Sequence, residues 1–77
     1  MRQKMKISGP QSLGRLVQQS RLAAGLTQVE LAQELGISQR AITDIETGKA
    51  TIQVRRLFDL LKMTGASLGG EWDTSDE

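Results

Sequence analysis

The sequence predicts an all-α domain, a compact bundle of four to five short helices with room for a short strand at its C-terminal end. Two observations carry this. Apolar residues recur at three- and four-residue intervals in four stretches, and those stretches are separated by Gly25, Gly36, Gly48 and Gly65. Thr27, Ser38 and Thr51 stand where the following stretches begin, so capping hydroxyls open segments that glycines close. With 77 residues the chain is one domain, near the size at which a single core is only marginally sufficient.

Taken in order, residues 1–10 read as a basic N-terminal arm. Arg2, Lys4 and Lys6 alternate with Met5 and Ile7, a period that fits a short strand or a loose extension. A first helix is expected from about Gln11 or Ser12 to Ala24, with Leu13, Leu16, Val17 and Ala24 on one face. Thr27 and Glu30 form a capping box that opens the second helix, whose buried stripe is Val29, Leu31, Ala32 and Leu35. Gly36 turns the chain, Ile37 plugs the corner, and Ser38 caps a third helix with Ala41, Ile42 and Ile45 inward. Thr51 opens a fourth helix in which Val54, Leu57, Phe58 and Leu61 share a face. Leu60 and Met63 widen that face beyond what one small core needs. The domain proper therefore spans 11–65, and 66–77 is a short extended, acidic tail. Its ASLGGEW start is too brief and glycine-rich for a helix.

The pair of short helices within QVELAQELGISQRAITDIET, joined at Gly36, is a helix-turn-helix. Ala32 lies where the two helices cross closely, and a larger side chain there would push them apart. This geometry lays one helix into the major groove of DNA with its first exposed side chains at the base edges.

Composition narrows the function classes. There is no Cys and no His, so thiolate metal sites, disulfides and the commonest general base are all missing, and an enzyme is not expected. No metal or cofactor is implied. No apolar run approaches a membrane span and the basic start is not followed by a secretory core, so the expectation is an unprocessed, cytoplasmic, nucleoid-associated protein without a membrane partner. The net charge of +1 hides an asymmetry: four of the nine acidic residues lie in the last seven positions, leaving ten bases with five acids in the rest. Such a body is attracted to phosphate, whereas the acidic end should avoid DNA or face a basic partner.

The segment RLAAGLTQVELAQELGISQRAITDIETGK, Arg21 to Lys49, resembles the lambda-repressor-like helix-turn-helix family, the Cro and C1-repressor (XRE) class. The resemblance implies a lambda-repressor-like fold and a set of DNA contacts. Gln28 opens the second helix, where its amide reaches a phosphate and braces Gln39. Gln39 opens the recognition helix and reads a base edge, since an amide pairs bidentately with adenine. Arg40 meets guanine or a phosphate, Ser38 and Thr43 touch base edges or thymine methyls, and Thr47 and Lys49 hold the opposite phosphate strand. Asp44 departs from this pattern, because a carboxylate on that face repels phosphate unless it accepts from a cytosine amine. In the family the residues matching Arg21 and Glu46 form a structural ion pair across the domain.

The implied protein is a sequence-specific repressor binding double-stranded DNA as a homodimer on an inverted-repeat operator, with half-sites about 34 Å apart. Leu60, Met63, Leu68 and Trp72 are the candidate dimer or partner interface, with the C-terminal strand included. The run ATIQVRRLFDLLKMTGASL is similar to HipB-type antitoxins, which repress their own operon and bind a HipA-type kinase toxin. A phage-type or restriction-modification controller is the alternative regulator, and a protein-interaction module without DNA binding is the alternative of another class.

Overall fold

A computed structural model of the chain describes residues 1–74. It contains β1 (Arg2–Ile7), α1 (Pro10–Ala23), α2 (Gln28–Leu35), α3 (Gln39–Glu46), α4 (Ile52–Thr64) and β2 (Leu68–Asp73). Four helices therefore form, as the apolar intervals predict, each closed by one of the glycines. Gly36 and Gly65 adopt the left-handed conformation at φ 67° and 72°, and their N–H groups return to carbonyls of the last turn of α2 and α4. At the start of α2 the capping box is complete: Thr27 Oγ1 accepts from the Glu30 N–H at 3.0 Å, and the Thr27 N–H donates to Glu30 Oε1 at 2.9 Å. The same helix-capping bond holds Glu30 below its ordinary carboxylate pKa. The start of α1 differs from expectation. It begins at Pro10, a residue preadapted to a first helical turn, and Ser12 folds back so that its Oγ accepts from the N–H groups of Ser8 and Gly9.

The arm and the tail are not separate appendages. β1 and β2 pair antiparallel, with Arg2 opposite Asp73, Lys4 opposite Glu71 and Ile7 opposite Leu68. Because side chains alternate, Arg2, Lys4, Lys6, Glu71 and Asp73 share the outer face, and Gln3, Met5, Ile7, Gly70 and Trp72 the inner one. The two-residue alternation of bases in the arm is thus matched by that of acids in the tail. Arg2 pairs with Asp73 at 3.0 Å and Glu71 at 3.4 Å, and Lys4 with Glu71 at 3.6 Å. The inner face lies over α1, where Gly70 gives way to Leu16. Trp72 is half-buried there rather than lying in a loose tail. Asp76 and Glu77 lie outside the described residues.

The core is small, with Ile7, Ala32, Ile42 and Phe58 buried. Several residues read as inward are exposed, namely Val29, Leu35, Ile37, Ile45 and Leu57, together with Leu60 and Met63. The reason is dimensional. The body measures 40 × 30 × 16 Å, which in the thinnest direction leaves room for only two packed layers about 10 Å apart, and a chain this short buries only a small core. Part of the apolar stripe of α2, α3 and α4 is therefore left exposed.

Candidate nucleic-acid interface

The pivot of the site is Glu46, at the end of α3. Its side chain is 2% exposed and that of Arg21, from α1, is 9% exposed. Arg21 Nε donates to Glu46 Oε2 at 2.6 Å and Nη2 to Oε1 at 3.1 Å, while Nη1 donates to the Leu26 carbonyl at 2.8 Å. This fork-on-fork pair is a charge-assisted, bidentate contact. It holds the Glu46 carboxyl below the usual carboxylate range and raises the Arg21 guanidinium further, burial opposing the shift in both. Gln28, the first residue of α2, donates its Nε2 to Glu46 Oε1 at 3.0 Å. One carboxylate thereby ties α1, the following loop, α2 and α3.

From Gln28 the network runs outward to the recognition helix. Gln28 Oε1 accepts from Thr43 Oγ1 at 3.0 Å and from Gln39 Nε2 at 3.4 Å. The bracing of Gln39 by Gln28 expected from the resemblance is therefore formed. Three of the four hydrogen-bonding positions of the Gln28 amide are used inside the protein, which leaves one N–H for an outside acceptor. Thr43 is half-buried and its hydroxyl proton is donated to Gln28, so it helps to position that amide. Ser38 Oγ accepts from the Ala41 N–H at 3.1 Å and caps α3. Thr47 Oγ1 donates to the Thr43 carbonyl at 2.8 Å and closes the other end.

Gln39, Arg40 and Lys49 are exposed, and the inner side of α3 is fixed by the buried Ile42 and by Glu46. Arg40 projects with its side chain 77% accessible. Asp44 sits one turn further along, accepts from Arg40 Nε at 3.3 Å and forms an ion pair with Lys49 Nζ at 3.5 Å. The carboxylate that looked out of place on this face thus lies between its two cations. Leu60, Met63 and Leu68 stand on a different part of the surface, exposed along α4 and the start of β2.

One supporting residue was missed in the sequence. Gly14 is buried in the middle of α1, where a Cβ would fall on the carbonyl oxygens of Ile45 and Glu46, 2.7 Å from the latter. Its absence of a side chain lets α1 approach the end of α3 closely enough for Arg21 to reach Glu46. The available signal was a glycine inside an otherwise helical pattern, which often marks close backbone approach.

A helix-turn-helix whose second helix presents exposed polar side chains on a rigid corner is the class that fold and site define. The helix-turn-helix family model matches residues 17–70, and the chain belongs to that family. A curated relative from Sinorhizobium fredii (strain NBRC 101917 / NGR234), described as an uncharacterized HTH-type transcriptional regulator, y4mF, is 36% identical over 63 residues, covering 82% of this chain and 83% of the relative. No solved structure matches the chain. Among the described residues no helix is long and apolar enough to cross a membrane, and no group of His, Cys, Asp and Glu is arranged to hold a metal ion.

Proposed function

We propose that this protein is a sequence-specific DNA-binding transcription regulator that represses as a homodimer on an inverted-repeat operator. The observation that carries the reading is the exposure of Gln39 and Arg40 at the start of α3, on a helix whose other side is held by Ile42 and the Arg21–Glu46–Gln28 network. A helix held this way meets the groove without reordering its backbone, so its first side chains start from fixed positions along the base edges. Family membership and the relative's description as a transcriptional regulator support the same reading.

In this function Gln39 and Arg40 meet base edges, and Lys49, Thr47 and the remaining Gln28 N–H meet phosphates. Ser38 adds its cap hydroxyl at the groove edge, and Thr43 holds Gln28 and Gln39 in place. Two copies are needed because one motif reads too few base pairs to be selective. The dimer forms through the uncovered apolar face of α4 and the adjoining Leu68. Within this class the finer reading is an antitoxin of a HipBA-like operon that also binds a kinase toxin, supported by the similarity of residues 50–68 to such proteins. Co-expression with the product of the adjoining reading frame, expected to be a kinase, followed by co-purification, tests that finer reading.

The main test is selection of bound duplexes from a random pool. The expected result is an inverted repeat with half-site centres about 10 base pairs apart, lost in Gln39→Ala. A pool that yields no enriched sequence overturns the proposal.

A further inference from the structure

We infer that Asp44 is a selectivity residue, a carboxylate that holds Arg40 and Lys49 away from the DNA backbone until a matching base edge takes its place. The inference rests on the DNA-binding reading and deepens it. Arg40 on α3 and Lys49 just beyond it converge on one oxygen, Asp44 Oδ1, at 3.3 Å from Arg40 Nε and 3.5 Å from Lys49 Nζ. The three side chains are accessible, so these pairs contribute little to folding. Their consequence lies in binding.

A cation that meets a phosphate releases counterions, and this gain is the same for every DNA sequence. When Arg40 and Lys49 are already paired, the gain is offset by the loss of their contacts to Asp44 and by the approach of that carboxylate to the polyanion. Non-specific binding is therefore weakened. On a matching site the balance differs. Arg40 takes the two acceptors of a guanine, and the freed Asp44 accepts from the exocyclic amine of a cytosine. All three charges end paired, Lys49 on a phosphate, whereas at an A·T step facing Asp44 from its thymine side the carboxylate meets only another acceptor. Asp44 thus converts sequence-independent attraction into a preference for cytosine amine beneath the middle of α3.

The test is a salt titration of binding to a random-sequence duplex by wild type, Asp44→Asn, Arg40→Gln/Lys49→Gln, and the triple variant. Thermal melts serve as the folding check, and the backbone bonds made to the Asp44 carbonyl are untouched by the Asn change. The expected result is that Asp44→Asn binds the random duplex about tenfold more tightly at 0.1 M salt, with a log–log salt slope steeper by about 0.9 to 1.8. In the Arg40→Gln/Lys49→Gln background the same change should leave the slope unaltered. Equal slopes for wild type and Asp44→Asn overturn the inference. So does a steepening that persists without the two cations, since that would be plain repulsion. A wild type that binds no duplex at any salt instead overturns the DNA-binding reading itself.

Discussion

Removing the Glu46 carboxylate would leave the Arg21 guanidinium, only 9% exposed, with the Leu26 carbonyl as its remaining hydrogen-bond partner in the protein. Breaking one side of a buried pair costs about 3 kcal/mol, which in a domain of this size lowers the melting temperature by on the order of 15 °C. Glu46→Ala is therefore expected to melt far below wild type in the absence of DNA, and calorimetry checks it. The pH dependence has a definite sign. Arg21 depresses the Glu46 pKa in the folded state below the ordinary 4.5, so the contribution is fully present above that value and is lost as pH falls through the lower folded one. The gap in melting temperature between wild type and Glu46→Gln should be constant at neutral pH and close only in acid. Gly14 offers a second check with an unusual sign. At an ordinary helix position Gly→Ala stabilises by roughly 0.5–1 kcal/mol; here the new methyl meets the carbonyls of Ile45 and Glu46, and overpacking of this kind costs about 1–3 kcal/mol. Gly14→Ala is expected to lower the melting temperature, and a rise would remove the close crossing of α1 and α3 from the account.

At the scale of elements, α4 carries the clearest unmet demand. Phe58 faces the core, and the apolar arc continues around the helix through Leu57, Leu60 and Met63 to Ile52, with Leu60 62% and Met63 86% exposed. Leu60→Lys with Met63→Lys is expected to convert a dimer to a monomer at micromolar concentration while helix content stays unchanged, as sedimentation and circular dichroism would report. A variant that remains dimeric places the interface elsewhere. The helices were legible because each is specified locally: Thr27, Ser38 and Thr51 open three of them, Gly36 and Gly65 end two, and Ala32 sets a crossing distance. The strand pair was only half legible. Arg2 and Lys4 answer Asp73 and Glu71 across nearly the whole chain, and no local rule announces a pairing of that sequence separation, though the shared two-residue period of opposite charge was there to be read. Exposure of Val29, Leu35 and Ile45 was not legible either, because a periodic stripe says which face is apolar and not how much of it one thin chain can cover. In the site, the exposure of Gln39 and Arg40 could be read from their place at a helix start. The partners of Thr43 and Asp44 could not, since they lie one helical turn or one helix away.

Across the whole molecule, the arrangement of charge matters more than its sum of +1. The bases of β1 at Arg2 and Lys4 are matched by Glu71 and Asp73 on the neighbouring strand, so this end of the body offers DNA little net attraction. Among the described residues Arg15, Arg55, Arg56, Lys6 and Lys62 form no ion pair, and Arg15 lines a surface hollow together with Thr47 and Glu46 at the end of α3. Arg15 thereby joins Lys49, Thr47 and Gln28 as a proposed phosphate contact. Their placement separates a local grip from a diffuse basic surface by experiment. If phosphates are held locally, Lys49→Gln should reduce the log–log salt slope of operator binding by about 0.9, and Arg15→Gln should act similarly. The double change Arg2→Gln/Lys4→Gln alters net charge by two in the same direction and should leave the slope where it was. Equal loss of slope from both ends of the molecule would mean that binding responds to total charge, and the docking of α3 against a groove would lose its electrostatic support.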